Sequence, residues 1–178
     1  MTRDLANEVR ANFVSGGITT GSQYKRIYHY HIRKTAGTSL NAAFWNLAGL
    51  DMLAIGRSLY KFKDGYVFVL NSKRAIESGN YFFANSHTPA HKLQLPPDTF
   101  TITVLRSPIE RVLSFYRYMR FAYDKQTSRN VDPLWKEAYS EAQNYFKSSV
   151  SFQEFLTQVP YCNLSSQLYM FSQEYNME

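Results

Sequence analysis

The stretch that most constrains the fold is a junction near the N-terminus, where a β-like run passes through a short loop into a helix. "YKRIYHYHI" (24–32) is rich in aromatic and β-branched residues, which is typical of a strand. "SLNAAFWNLAGL" (39–50) places apolar side chains on one helical face, namely Leu40, Ala43, Phe44 and Leu47. Only "RKTAGTS" (33–39) separates the two runs, so this part of the chain predicts a βα unit.

Strand-like and helix-like segments continue to alternate after this junction. "KDGY" before "VFVL" predicts a hairpin, "YFFANS" (81–86) predicts a strand, and "FTITVL" (100–105) predicts a buried strand. The sequence then predicts a helix over about 108–124 that begins at Pro108, with an apolar stripe formed by Ile109, Val112, Leu113, Tyr116 and Met119. This alternation predicts an α/β three-layer domain, with a mainly parallel central sheet flanked by helices.

The remaining third of the chain predicts further helices. One begins at Asp132 and Pro133, and its apolar stripe contains Trp135, Ala138, Tyr139, Ala142, Tyr145 and Phe146. Ser151 and Glu154 form a capping box for the next helix, and "LSSQLYMF" (164–171) continues as an apolar helical segment. We therefore predict a single domain over 1–178, preceded within it by a flexible lead-in at 1–23.

Composition narrows the class of protein. The chain has 178 residues, of which 44% are apolar, and 20 basic against 14 acidic residues give a net charge of +6. The apolar content indicates a folded chain rather than a disordered one. The excess of basic residues favours an anionic ligand. A single cysteine, Cys162, excludes an internal disulfide. No apolar run reaches the roughly 18–20 residues of a membrane span, and no signal peptide is apparent, so we expect a cytoplasmic protein.

The loop "RKTAGTS" has the chemistry of an anion site. In a parallel sheet, ligands bind outside the carboxyl ends of the strands, and a helix N-terminus favours negative charge there. Lys34 supplies a cation, the hydroxyl residues supply donors, and Gly37 allows close approach of the backbone. The loop is not a Walker A motif, because Lys34 precedes Gly37. On its own it is equally well explained as an ordinary βα turn.

A second junction repeats this arrangement. In "TVLRSPIERVLSFYRY" (103–118), a strand ends near Arg106 and a helix follows, with Ser114 two turns along it. Arginine can contact a phosphate with two parallel hydrogen bonds. The alternative is a helix-capping arginine and a surface serine. Two such junctions on one sheet predict a ligand with two separated anionic groups, such as a nucleotide that carries both a 5′ and a 3′ phosphate.

These two motifs resemble those of sulfotransferases. "HIRKTAGTSL" is similar to the loop that binds the 5′ phosphosulfate in that family, and "TVLRSPIERVLSFYRY" is similar to its 3′-phosphate motif. The likeness is greatest to the branch with the heparan sulfate 2-O and 6-O enzymes and bacterial relatives. It runs from about residue 26 to 120. Arg33 departs from the family pattern, which commonly has proline there, and Ser107 replaces a common aspartate.

The resemblance implies a P-loop-like fold and the donor 3′-phosphoadenosine 5′-phosphosulfate (PAPS), with adenosine 3′,5′-bisphosphate as the product. Carried over by position, the 5′ phosphosulfate would be cradled by Lys34, Thr35, Ala36, Gly37, Thr38 and Ser39. Arg106 and Ser114 would bind the 3′ phosphate. Lys34 would also be catalytic, because its ammonium group can neutralise the leaving oxygen. Relatives usually extend further, so the chain is a fragment, a truncation or a minimal enzyme.

His87 is the predicted general base. It follows the strand "YFFANS", and imidazole titrates near neutrality; a histidine in the related carbohydrate enzymes has this role. His91 is the alternative base. His29, His31, His87 and His91 are not joined by a carboxylate or cysteine at metal-ligand spacing, so no metal site is predicted.

Three functions remain open at this stage. The first is sulfuryl transfer from PAPS to a hydroxyl acceptor, most simply a carbohydrate or another small molecule, with no nucleic acid as partner. The second is a non-catalytic domain of the same fold that binds nucleotides or polyanions. The third is a P-loop kinase-like phosphotransferase, which the order of Lys34 and Gly37 disfavours.

Overall fold

The structure is a computed structural model that describes residues 24–47, 60–63, 66–125, 133–146 and 150–172. The predicted lead-in at 1–23 lies outside the described residues. The chain forms two compact units. The sheet unit contains Met1–Ile32 and Ala36–Val104, and the helical unit contains Arg33–Thr35 and Leu105–Glu178.

The strands of the sheet unit form one sheet. In chain order, the described strands and helices of this unit are β1 (Arg26–Tyr30), α1 (Gly37–Leu47), β2 (Tyr60–Lys63), β3 (Tyr66–Leu70), α2 (Lys73–Ser78), β4 (Phe83–Ser86) and β5 (Thr99–Thr103). The strand order is β2-β3-β4-β1-β5. The four strands β3, β4, β1 and β5 are parallel to one another. β2 forms an antiparallel hairpin with β3. The predicted hairpin and mainly parallel sheet are confirmed.

Helices cover both faces of this sheet, which gives the predicted three layers. On one face, Trp45 and Phe44 of α1 pack on a cluster with Ile27, Phe68 and Phe83. On the other face, α2 contributes Ala75 and Ile76 to a cluster that also contains Tyr28, Val69, Tyr81, Ala84 and Leu93. The alternation of Ile27 and His29 on one face of β1 with Tyr28 on the other follows from the two-residue period of a strand.

The described part of the helical unit contains α3 (Pro108–Lys125), α4 (Pro133–Ala142), α5 (Phe152–Gln158), α6 (Tyr161–Leu164) and α7 (Ser166–Tyr169). Its core includes Phe115 and Met119 of α3, together with Ala138, Ala142, Tyr145, Phe146 and Phe155. The predicted start of α3 at Pro108 is confirmed. The Ser151–Glu154 capping box is present as predicted, because the Ser151 hydroxyl accepts from the Glu154 N–H while the Glu154 carboxylate accepts from the Ser151 N–H.

The apolar stripe predicted for α3 is only partly confirmed, because Met119 is buried and Tyr116 packs against the core, whereas Ile109 does not. Ile109 is 79% exposed, and the buried face instead contains Arg111, Phe115, Met119 and Ala122. The cause is Arg111, whose guanidinium donates to the carbonyl oxygens of Asn163 and Leu164 and is therefore satisfied inside the unit. A pattern of apolar residues alone cannot place an arginine in a core.

The stripe predicted for α1 is also shifted. Ala43 is exposed, whereas Asn41 and Trp45 are buried. The side chain of Leu47 lies outside the described residues. The shift has a physical reason, since Asn41 is hydrogen-bonded to a histidine of β1 and can therefore occupy the inner face of the helix.

The prediction that residues 100–105 form a buried strand is wrong in its burial. β5 ends at Thr103, Phe100 is 42% exposed, and Leu105 is 64% exposed. Among the described strands, β5 pairs with β1 alone, so one edge of it has no strand beside it. A run of β-branched residues suits an edge strand as well as a central one.

Within the part of the chain that is described, no helix is long and apolar enough to cross a membrane.

Candidate active site

The loop after β1 has an unusual backbone. Lys34 has a φ of 67° and Ala36 a φ of 71°, and both therefore lie in the left-handed region, which costs about 1–2 kcal/mol for a residue with a side chain. Helix α1 begins directly afterwards at Gly37. In many proteins, loops that combine right- and left-handed residues turn successive N–H groups toward a bound anion. The anion site at this loop stays a prediction.

The loop is divided between the two units. Lys34 and Thr35 belong to the helical unit, whereas Ala36 and Gly37 belong to the sheet unit. Thr35 is buried, and Thr38 and Ser39 are exposed in the first turn of α1.

In the sheet unit, three histidines lie in a row at the carboxyl ends of β1 and β4, with His29 inside β1 and the other two just after the strands. His29 is buried, and its ring stacks on His31 with centroids 5.2 Å apart. The ring of His31 lies 4.5 Å from that of His87. Two of these residues share one side of β1 because their spacing is two, and His87 joins them because β4 is the parallel neighbour of β1.

Asn41 of α1 links two of the histidines. The Nδ1 of His29 lies 2.7 Å from the Asn41 Oδ1, and the Asn41 Nδ2 lies 3.3 Å from the Nδ1 of His31. Since an amide oxygen only accepts hydrogen bonds and an amide nitrogen only donates them, His29 carries its proton on Nδ1 and His31 accepts on Nδ1. Burial lowers the pKa of His29, although its hydrogen bond to Asn41 acts in the opposite direction, and the net shift favours the neutral ring.

His87, the predicted base, is exposed and anchored at one nitrogen. Its Nδ1 donates to the backbone carbonyl of His31. A carbonyl oxygen can only accept, so the neutral ring carries its proton on Nδ1 and its lone pair on Nε2. The ring therefore has the tautomer that a general base needs, with the basic nitrogen on the side away from the anchoring hydrogen bond.

Gly37 leaves room for the histidine rings. A Cβ at this position would lie 2.1 Å from the His31 Cδ2, 2.6 Å from the His31 Nε2 and 2.9 Å from the His29 Cε1. Its φ is not in the left-handed region. Glycine is required here because the His31 ring occupies the space beside the first turn of α1 that a Cβ would need.

This close approach gives a prediction for Gly37→Ala. Where space is available, Gly→Ala in a helix stabilises a protein by about 0.4–1 kcal/mol. Here the new methyl group overlaps the His31 ring, so we expect the free energy of unfolding to fall by about 1–3 kcal/mol, measured by urea denaturation. In a His31→Ala background the same change should be much less harmful. Equal losses in both backgrounds would contradict the steric explanation.

In the helical unit, Lys34 is half-buried against an aromatic ring. Its Nζ lies 4.3 Å from the centroid of the Tyr118 ring, which is a cation–π contact. Burial lowers the pKa of Lys34 below its usual value, and the positive charge of Arg106 lowers it further. The structure therefore brings two of the sequence-predicted cations, Lys34 and Arg106, into electrostatic contact within one unit.

The backbone of Arg106 is held by an amide side chain. Its N–H donates to the Gln167 Oε1 at 2.8 Å, and its carbonyl accepts from the Gln167 Nε2 at 2.9 Å. The Arg106 Nε contacts the Glu110 Oε2 at 3.4 Å, and both of these side chains are more than a third exposed. A surface pair of this kind contributes little. Gln167 therefore fixes the position of Arg106, while its guanidinium remains accessible.

The other residues of the two motifs have distinct partners. Arg33, which replaces the common proline, forms an ion pair of 2.8 Å with Glu141 of α4. Ser114 is half-buried on α3. Asn41, Tyr118 and Gln167 were not predicted. Asn41 had a detectable signal, since it lies one helical turn after Gly37, but the partners of Tyr118 and Gln167 are distant in the sequence.

No metal centre accompanies these residues in the part of the chain that the structure describes, where no group of three or more histidine, cysteine, aspartate or glutamate side chains is arranged to hold an ion. The alternative base, His91, lies half-buried in a 3-10 turn at Ala90–Lys92.

A mainly parallel sheet with helices on both faces defines a protein of the α/β class. A comparison with family models is more specific, because the model of the sulfotransferase family matches residues 18–173. The chain belongs to the sulfotransferase family. It is therefore a transferase of a family that moves sulfuryl groups to hydroxyl-bearing acceptors and generally uses PAPS as the donor. Searches of curated proteins and of solved structures found no match.

Proposed function

We propose that this protein transfers the sulfuryl group of PAPS to a hydroxyl group of a carbohydrate. The observation that carries the proposal is the environment of Lys34. Among the described residues no carboxylate forms an ion pair with it, and it lies on the Tyr118 ring within the field of Arg106. A half-buried cation beside a second cation is unfavourable until an anion joins it. Such a pair favours binding of an anion at the point where the loop begins.

The residues fit the two ends of PAPS. The loop with left-handed residues at Lys34 and Ala36 offers N–H groups to the 5′ phosphosulfate, and the Lys34 ammonium adds charge. In this proposal, Arg106 and Ser114 bind the 3′ phosphate, which distinguishes PAPS from common nucleotides. The fixed backbone of Arg106 supports this role, because less backbone freedom remains to be lost on binding.

The reaction requires one proton transfer and one exchange of bonds at sulfur. The Nε2 of His87 takes the proton of the acceptor hydroxyl as its oxygen bonds to sulfur. The bond between sulfur and the bridging phosphate oxygen breaks, and adenosine 3′,5′-bisphosphate leaves. Lys34 offsets the negative charge that develops on that bridging oxygen. The tautomer of His87 supports its assignment as the base. The carbohydrate class of the acceptor rests on the likeness of both motifs to the carbohydrate branch.

The test is a comparison of nucleotides by thermal shift and calorimetry. Adenosine 3′,5′-bisphosphate should stabilise the protein more than AMP or ATP with Mg²⁺. Arg106→Ala should weaken bisphosphate binding about 10- to 150-fold, since a charge-assisted hydrogen bond contributes about 1.5–3 kcal/mol. AMP binding should hardly change. Arg74→Ala, which removes an exposed arginine of α2, is the matched control and should have no effect.

Three results would redirect the proposal. An equal response to ATP with Mg²⁺ would favour a kinase-like phosphotransferase. Selective binding of the bisphosphate without transfer of ³⁵S-labelled sulfate from PAPS to any member of a carbohydrate panel would favour a non-catalytic binding domain. Transfer to a hydroxyl-bearing acceptor other than a carbohydrate would retain the reaction and correct the acceptor class.

A further inference from the structure

We propose that Asn41 is a positioning residue, whose side-chain amide holds His31 in the orientation on which His87 depends. The inference rests on the proposed function insofar as His87 is the base of sulfuryl transfer. Its geometric part, the coupling of Asn41 to the ring of His87, stands on contacts within the sheet unit.

The first step is the burial and pairing of Asn41. It is 3% exposed, on the inner face of α1, one turn after Gly37. Its Oδ1 accepts from the Nδ1 of His29, and its Nδ2 donates to the Nδ1 of His31. A side-chain amide is suited to this place because it presents an acceptor and a donor at once. Aspartate has the same shape but presents acceptors only.

The second step concerns the Asn41 amide, which has its oxygen toward His29 and its nitrogen toward His31. If the two atoms exchanged places, His29 would carry its proton on Nε2, and that buried atom has no hydrogen-bond partner among the described residues. A buried N–H without a partner is more costly than a lone pair without one. The observed direction therefore gives the lower energy. It also assigns the Nε2–H tautomer to neutral His31.

The third step leads from His31 to His87. The backbone carbonyl of His31 accepts the proton on the Nδ1 of His87, and the two rings are 4.5 Å apart. The His31 ring also stacks on His29, and it occupies the space beside Gly37 that a Cβ would fill. Reorientation of the His31 ring thus changes the surface on which the His87 ring packs, and an accompanying shift of the His31 backbone moves the carbonyl that fixes the tautomer of His87.

The experiment compares Asn41→Asp and Asn41→Ala with the wild type by ¹⁵N NMR of the histidine side chains. In the wild type, His31 should carry its proton on Nε2 and His87 on Nδ1. In Asn41→Asp, His31 should gain a proton on Nδ1, and His87 should become a mixture of both tautomers. Asn41→Ala should also release His87. Asn46→Asp is the matched control, since Asn46 is exposed on the same helix, and should change neither ring.

Kinetics supply the second readout. Asn41→Asp and Asn41→Ala should lower kcat for transfer from PAPS by about tenfold or more, within the 10²–10⁴-fold contribution of a general base, and change the Kd of adenosine 3′,5′-bisphosphate less than twofold. In a His87→Ala background the change at Asn41 should have no further effect on kcat, because its action passes through His87.

Two results would overturn the inference. One is an unchanged His87 tautomer in both Asn41 variants. The other is a full additional loss of kcat when Asn41→Asp is combined with His87→Ala, which would indicate an independent structural effect. Failure of the proposed function is distinguishable from both. If the wild type transfers no sulfate but the His87 resonances move in the Asn41 variants, the coupling is supported and His87 serves another reaction.

Discussion

Exchange of His87 for alanine is expected to lower kcat for sulfuryl transfer by about 10²–10⁴-fold, which is the usual contribution of a general base. The ring lies outside the donor-binding residues assigned above, so the Kd of adenosine 3′,5′-bisphosphate should change less than threefold. Single-turnover transfer of labelled sulfate from PAPS measures the first quantity, and calorimetry measures the second. His91→Ala, which removes the alternative base, should retain most of the activity.

A second variant separates catalysis from structure at this position. The side-chain amide nitrogen of asparagine occupies nearly the place of an imidazole Nδ1, so His87→Asn should keep the hydrogen bond to the His31 carbonyl. It has no basic nitrogen at the position of Nε2. If His87 is the base, the asparagine variant will be as slow as the alanine variant. Activity close to that of the wild type in His87→Asn would show that the anchoring hydrogen bond is the only contribution of this residue.

Removal of the Lys34 charge is expected to have the second large effect. Lys34→Met keeps an apolar stem against Tyr118 and should lower kcat by about 10²–10³-fold, the range seen when one group that stabilises developing charge is lost. Both lysine and methionine have a Cβ, so the cost of the positive φ at this position is unchanged. The folded state should therefore be as stable as the wild type or more so, because a cation near Arg106 has been removed.

Two controls accompany the Lys34 experiment. Lys73→Met removes an exposed lysine of α2 and should leave kcat unchanged. Lys34→Gly should raise the free energy of unfolding by relieving the left-handed backbone, but it should be at least as inactive as Lys34→Met. A methionine variant with kcat within threefold of the wild type would remove Lys34 from the catalytic residues and leave it as a binding residue.

The sequence predicted the parts of the fold that depend on local pattern. The βα junction as far as Leu47, the hairpin of β2 and β3 and the capping box at Ser151 were confirmed because each depends on neighbouring residues. The inner face of α3 was not predicted, since Arg111 finds its acceptors 52 and 53 residues further along the chain. Burial of a charged group depends on such distant partners, which no helical period reveals.

The candidate site shows the same division. Lys34, Arg106 and His87 could be named from the sequence because each one follows a strand-like run and carries a cationic or basic group. The residues that hold them could not. Gln167, which holds the backbone of Arg106, is 61 residues away in the sequence. Asn41 is a polar residue of a helix whose predicted inner face contained Ala43, and its burial was therefore not predicted. Groups with reactive chemistry carry a signature in the sequence, whereas the side chains that orient them are defined only by three-dimensional packing.

The buried guanidinium of Arg111 determines how short a working version of the helical unit could be. Its donors end on the carbonyls of Asn163 and Leu164, far beyond the phosphate motif in which Arg111 itself lies. Without those two peptide groups the cation would have to return to water and draw the first turn of α3 out of the core, because an uncompensated buried charge is strongly destabilising. We therefore expect a chain that ends before Leu164 to be less stable, even though none of the motif residues lies beyond Tyr118.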